Sequence, residues 1–122
     1  MIPKFFHAVA DYLCGALLLL APNLLGFADL GGAAAWVPRI VGLLVLGQAM
    51  LTDYELGLMK IIPIGTHLMA DYLVGAFLLA APWFFGFSAV RVPTVTLTVM
   101  GLLVLGLTAM TQPLGRQRKV LA

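Results

Sequence analysis

Residues 2–27 read IPKFFHAVADYLCGALLLLAPNLLGF, and residues 62–87 read IPIGTHLMADYLVGAFLLAAPWFFGF. Aligned without a gap, the two stretches are identical at 15 of 26 positions, at a period of 60 residues. The identities include His7/His67, Asp11/Asp71, Tyr12/Tyr72, Gly15/Gly75, Pro22/Pro82 and Gly26/Gly86. An apolar helix needs only apolar residues and has no cause to reproduce a His and an Asp. The doubling therefore marks a structural unit used twice. It also singles out the few polar groups that could do chemistry inside an apolar chain.

Composition sets the class. Of 122 residues, 62% are hydrophobic and only 10% charged. A soluble domain carries charge on about a quarter of its residues, and this chain would expose apolar patches on every side in water. It reads as an integral membrane protein. The formal net charge of +2 is too small to argue for a nucleic-acid partner. The single cysteine, Cys14, lies in an apolar run and cannot form a disulfide within the chain. The first apolar stretch reads as a structural unit rather than a cleaved signal, because its pattern recurs in mid-chain.

A helix needs about 20 apolar residues to cross the hydrocarbon core. The sequence predicts four such helices, over Phe5–Phe27, Trp36–Thr52, Thr66–Phe87 and Val92–Thr111. Pro38 is expected in the first turn of the second helix, Thr66 at the N-cap of the third and Pro93 at the start of the fourth. Residues 92–99, VPTVTLTV, alternate like a strand. A lone strand cannot satisfy its backbone in lipid, so helix is expected there, with threonine hydroxyls bonding back to the preceding turn.

The second and fourth helices also match. GLLVLG at 42–47 recurs as GLLVLG at 101–106, and Thr52 then aligns with Thr111. Each repeat is thus a helical hairpin, residues 1–60 and 61–122, and two hairpins make an all-α four-helix membrane domain. With two crossings per repeat, the repeats run parallel, related by a pseudo-twofold along the membrane normal. Lys4, Lys60, Arg116, Arg118 and Lys119 fall on one side, Arg39 and Arg91 on the other. The positive-inside rule then expects both termini on the cytoplasmic side.

His7, Asp11, Gly15, Leu18 and Pro22 form one stripe on the first helix, and His67, Asp71, Gly75, Leu78 and Pro82 form its copy on the third. Stripes of small and polar residues are packing faces in membranes. Gly42, Gly47, Gly101 and Gly106 serve the same purpose on the partner helices, or join copies of the chain into an oligomer. The His–Asp pairs admit several roles. They can link neighbouring helices or cap a helix start. Brought together across the pseudo-twofold, His7, Asp11, His67 and Asp71 offer four ligands to a metal ion. The two His could instead hold a haem b, with the Asp residues orienting the imidazoles, or the set could handle protons or ions. Asp53 and Glu55, in the loop between repeats, are expected on the same side as both pairs.

Pro22 and Pro82 must kink or end their helices, Gly26 and Gly86 suit C-caps, and Trp36, Trp83, Phe84, Phe85 and Phe87 suit an interfacial aromatic belt. No nucleophile–base set, phosphate loop or cofactor motif is present. The chain reads as a non-enzymatic scaffold or binding module, needing no cofactor, with the lipid bilayer as its first partner. The readings beside it are a metal- or haem-binding protein and an oligomeric transporter.

Ala81-Pro82-Trp83, inside an apolar helix and followed by Phe84-Phe85-Gly86-Phe87, resembles the SPW repeat family of small bacterial integral membrane proteins. Its Ser-Pro-Trp motif lies in the first of two membrane helices per repeat. Here Ala replaces Ser, and Ala21-Pro22-Asn23 also lacks the Trp. The TDYELG segment and the His-x-x-x-Asp pattern after it look like the same family. The resemblance implies four helices and a location in a bacterial membrane, expected to be the inner one, and carries over no particular activity.

Overall fold

A computed structural model describes residues 3–52 and 56–111. Four α-helices account for most of them: α1 (Lys4–Leu24), α2 (Gly32–Leu51), α3 (Ile64–Phe84) and α4 (Arg91–Met110). Each has 20 or 21 residues, about 30 Å at 1.5 Å per residue. All four are long and apolar enough to cross a membrane. Asp53, Glu55, Arg116, Arg118 and Lys119 lie outside the described residues.

Helix ends follow from local chemistry. Pro22 and Pro82 each fall in the last turn, where the missing N–H and ring clash stop the helix two residues later. Gly26 and Gly86 then take φ of +78° and +80°, values that cost a residue with a Cβ but not glycine. The turn folds Phe27 N–H onto Pro22 O at 2.9 Å and Phe87 N–H onto Pro82 O at 2.8 Å, the six-to-one bond of a Schellman motif. This turn buries Phe27 and Phe87 against the bundle. Phe87 is therefore a plug under the helix ends and not part of the aromatic belt. Trp36, Trp83, Phe84 and Phe85 do face outward.

Several boundaries differ from the sequence expectation: α1 and α3 each end three residues early, at Leu24 and Phe84, and α2 and α3 begin early. α2 begins at Gly32, because Ala33, Ala34 and Ala35 extend the helix toward the N-terminus, so Pro38 sits in its second turn. α3 begins after Pro63, whose fixed φ leads into the helix, and Thr66 lies inside it with no capping bond. Pro93 is the third residue of α4, where no intrahelical N–H bond is lost. The hydroxyl of Thr96 donates to Val92 O at 2.7 Å, as expected for threonine in a membrane helix.

α1 packs along α2, and α3 along α4, each pair a tight hairpin; α1 also touches α4, and α2 touches α3. The seams are glycine crossings. A Cβ on Gly42 would lie 2.6 Å from Leu19 N and 2.7 Å from Gly15 O, both backbone atoms. A Cβ on Gly101 would lie 3.0 Å from Gly75 O. Close backbone approach of this kind lets membrane helices gain packing energy where no hydrophobic effect joins them. Gly47 and Gly106 meet nothing within 4 Å and take no part in the seams. Between the hairpins, Leu18, Leu78 and Leu97 are fully buried and fill the centre, with Val41, Val45 and Met100 beside them. Leu13, Leu43, Leu44, Leu73, Leu102 and Leu103 point outward, as a lipid-facing surface requires.

Candidate functional site

His7 is the fourth residue of α1 and His67 the fourth of α3. Each is held there by its own N–H, which bonds to Pro3 O or Pro63 O in the first helical turn. Asp11 and Asp71 follow one turn later on the same faces. All four residues are buried. Their ligand atoms lie within 4.8 Å of one another.

The contacts cross between repeats. His7 Nε2 is 2.9 Å from Asp71 Oδ2 and 3.2 Å from Asp11 Oδ1. His67 Nε2 is 2.7 Å from Asp11 Oδ2 and 3.0 Å from Asp71 Oδ2. In both cases the shorter contact goes to the carboxylate of the other repeat. The imidazoles meet edge to face, with ring centroids 5.6 Å apart. Helices α1 and α3 thus start at the same end of the bundle, which establishes the parallel repeats.

The far nitrogen of each ring is held by a threonine, again from the other repeat. His7 Nδ1 lies 2.7 Å from Thr111 Oγ1 and His67 Nδ1 lies 2.5 Å from Thr52 Oγ1. Both threonines cap helix C-termini, Thr52 for α2 and Thr111 for α4. Thr52 Oγ1 donates to Gln48 O at 2.6 Å, and Thr111 Oγ1 donates to Leu107 O at 2.6 Å. A hydroxyl has one proton, so each oxygen can only accept from the ring. Both histidines therefore carry hydrogen on Nδ1. The sequence aligns Thr52 with Thr111, but it gives no sign that they reach across the bundle to the histidines.

The chain between α2 and α3 braces this end. Leu58 and Met59 N–H bond to Met50 O, and Ile61 and Ile62 N–H bond to Leu51 O, filling acceptors at the α2 terminus. Thr52 bridges to Ile62. Gln48 Nε2 donates to His67 O at 3.1 Å, and the Tyr12 hydroxyl donates to Leu56 O at 2.7 Å. A groove of about 290 Å³ between α3 and α4, lined by Gly65, Leu68, Met69, Tyr72 and Thr108, runs up to Thr111.

With both Nδ1 atoms protonated, the two Nε2 atoms face two carboxylates. Beside ionised carboxylates Nε2 needs a proton or a metal ion there, since a bare lone pair 2.7–3.2 Å from a carboxylate oxygen is repulsive. Two imidazolium and two carboxylate groups sum to zero charge, a set that can be buried at bearable cost. The geometry does not fit a haem. Both Nε2 atoms lie within 3.0 Å of the same Asp71 oxygen, so a carboxylate occupies the space a porphyrin would need.

At the opposite end, Arg39 Nη2 donates to Asn23 Oδ1 at 3.2 Å and its guanidinium lies 4.9 Å from the Trp36 ring centre. These contacts tie α1 to α2 where aromatic residues face outward. Lys4 and Lys60 lie at the His–Asp end, Arg39 and Arg91 at this one.

No curated protein and no solved structure matches the chain. The sequence model of the SPW repeat domain matches residues 5–111. That span contains both Pro-terminated helices, both glycine seams and all six residues of the polar cluster, and the chain belongs to the SPW repeat family.

Proposed function

We propose that this integral membrane protein is a non-enzymatic binding module of the bacterial inner membrane, both termini cytoplasmic, whose working centre is the quartet of His7, Asp11, His67 and Asp71. The observation that carries this reading is the convergence of two imidazoles and two carboxylates, from both repeats, on one buried spot. Ionisable groups inside a membrane protein are costly and mark function by default. Plain structure does not call for them, because the glycine seams already join each hairpin and apolar side chains fill the space between. An apolar cluster of equal volume would serve a scaffold as well or better. An enzymatic role finds no support in the set, whose ring nitrogens and carboxylates are engaged with one another rather than poised toward a substrate.

A thermal-shift screen of purified protein against ions and small polar molecules tests the reading. At least one ligand should raise the unfolding midpoint of the wild type and not that of Asp71→Asn. A folded wild type that responds to none of them would reduce the quartet to a clasp between hairpins. Placement is tested by labelling single cysteines from the periplasm. Arg39→Cys should react and Lys60→Cys should not.

A further inference from the structure

The threonine locks decide where the imidazole lone pairs can point. Each threonine hydroxyl donates to a backbone carbonyl and accepts from Nδ1–H, so both histidines have only Nε2 available for coordination. Both Nε2 atoms turn toward the same two carboxylates. A metal-ligating histidine has this arrangement, with one nitrogen at the metal and the other donating to a fixed oxygen that sets tautomer and ring orientation.

We propose that the quartet binds one divalent first-row metal ion of the Zn²⁺ class, through Nε2 of His7 and His67 and one carboxylate oxygen each of Asp11 and Asp71. This names the ligand of the binding module above and rests on that reading. Four donors, two nitrogen and two oxygen, match the number and type a tetrahedral ion takes. Bonds of about 2.0–2.1 Å would separate the ligand atoms by about 3.3–3.4 Å. The present Nε2–oxygen distances of 2.7–3.2 Å are those of N–H···O bonds in the protonated set, and the wider ligand-atom pairs lie within 4.8 Å, so side-chain rotations that open the first and close the second reach that spacing. Charge is conserved in the exchange. Two imidazolium and two carboxylate groups take up M²⁺ and release two protons to water, and the buried set stays neutral before and after. Mg²⁺ and Ca²⁺ want six or more oxygen ligands, which this nitrogen-containing set does not offer. Thr52 and Thr111 are positioning residues for the ion and do not touch it.

The test uses the full chain, stripped with chelator and placed in lipid nanodiscs, titrated with Zn²⁺ and with Co²⁺ as a spectroscopic probe. The expected result is one ion per chain, a tetrahedral Co²⁺ absorption spectrum, about two protons released per ion and no competition from Mg²⁺. Asp71→Asn should lose the tetrahedral spectrum. Should that variant fail to fold, Thr52→Val and Thr111→Val carry the test. Each should weaken metal affinity by about 10–100-fold at unchanged stoichiometry, and Thr→Ser at either position should restore it. No saturable Zn²⁺ or Co²⁺ binding by folded wild type, or binding indifferent to these substitutions, would overturn the metal site. If another ligand then stabilises wild type but not Asp71→Asn, the binding module stands without the metal; if none does, both readings fall.

Discussion

His7 and Asp71, 64 positions apart and on different repeats, meet at 2.9 Å between Nε2 and Oδ2. The contact from His7 to Asp11 on its own helix is longer, 3.2 Å. The same order holds for His67, with 2.7 Å to Asp11 and 3.0 Å to Asp71. Each histidine thus pairs best with the other repeat, and the quartet exists only when both hairpins are docked.

That pairing predicts strong, non-additive coupling. Removing one member of a buried charged set leaves its partner uncompensated, so His7→Ala should cost about 3–5 kcal/mol. Adding Asp71→Ala should cost much less than its single effect, with a coupling of about 0.5–3 kcal/mol. Unfolding titrations of the two single variants and the double variant in mixed micelles give the cycle. Additive effects would mean that the two residues do not interact.

The glycine seams predict a contrast within a single helix. Gly42→Ala places a Cβ 2.6 Å from Leu19 N. Backbone cannot rotate aside, so the helices must separate, at about 1–3 kcal/mol. Gly47→Ala, five residues on, meets open space and should change stability by less than about 0.5 kcal/mol. Thermal unfolding of the two variants side by side reads the difference.

The repeat arrangement predicts proximity at one end of the bundle. Cysteines placed at Lys4 and Lys60 should be accessible from the same side of the membrane, and cysteines at Arg39 and Arg91 from the other. The native Cys14 is buried and should give little background. Labelling with a membrane-impermeant reagent on oriented vesicles checks this, and opposite sidedness for positions 4 and 60 would contradict the fold.

Much of this was legible in the sequence because the membrane restricts the choices. Lipid demands helices of about 20 residues, and the doubled His-x-x-x-Asp stripe fixes the repeat and the packing face. The glycines were only half legible. Gly42 and Gly47 both sit in GLLVLG, yet helix rotation carries Gly42 into the seam and Gly47 out of it. The stripe places His and Asp one turn apart on each helix, but the sequence could not show that the shorter contacts cross the bundle. The roles of Thr52 and Thr111 were hidden because a threonine at a helix end usually serves its own backbone. Both do so here, and the oxygen lone pair left over reaches an imidazole that only tertiary packing brings near.

Threonine locks turn both histidines toward the carboxylates through Nε2. Nitrogen-15 NMR of histidine-labelled protein in nanodiscs measures this directly. In metal-free protein both rings should carry protons on Nδ1 and Nε2, and on metal binding Nε2 should lose its proton while Nδ1 keeps it. A bare Nδ1 on either His7 or His67 would contradict the lock.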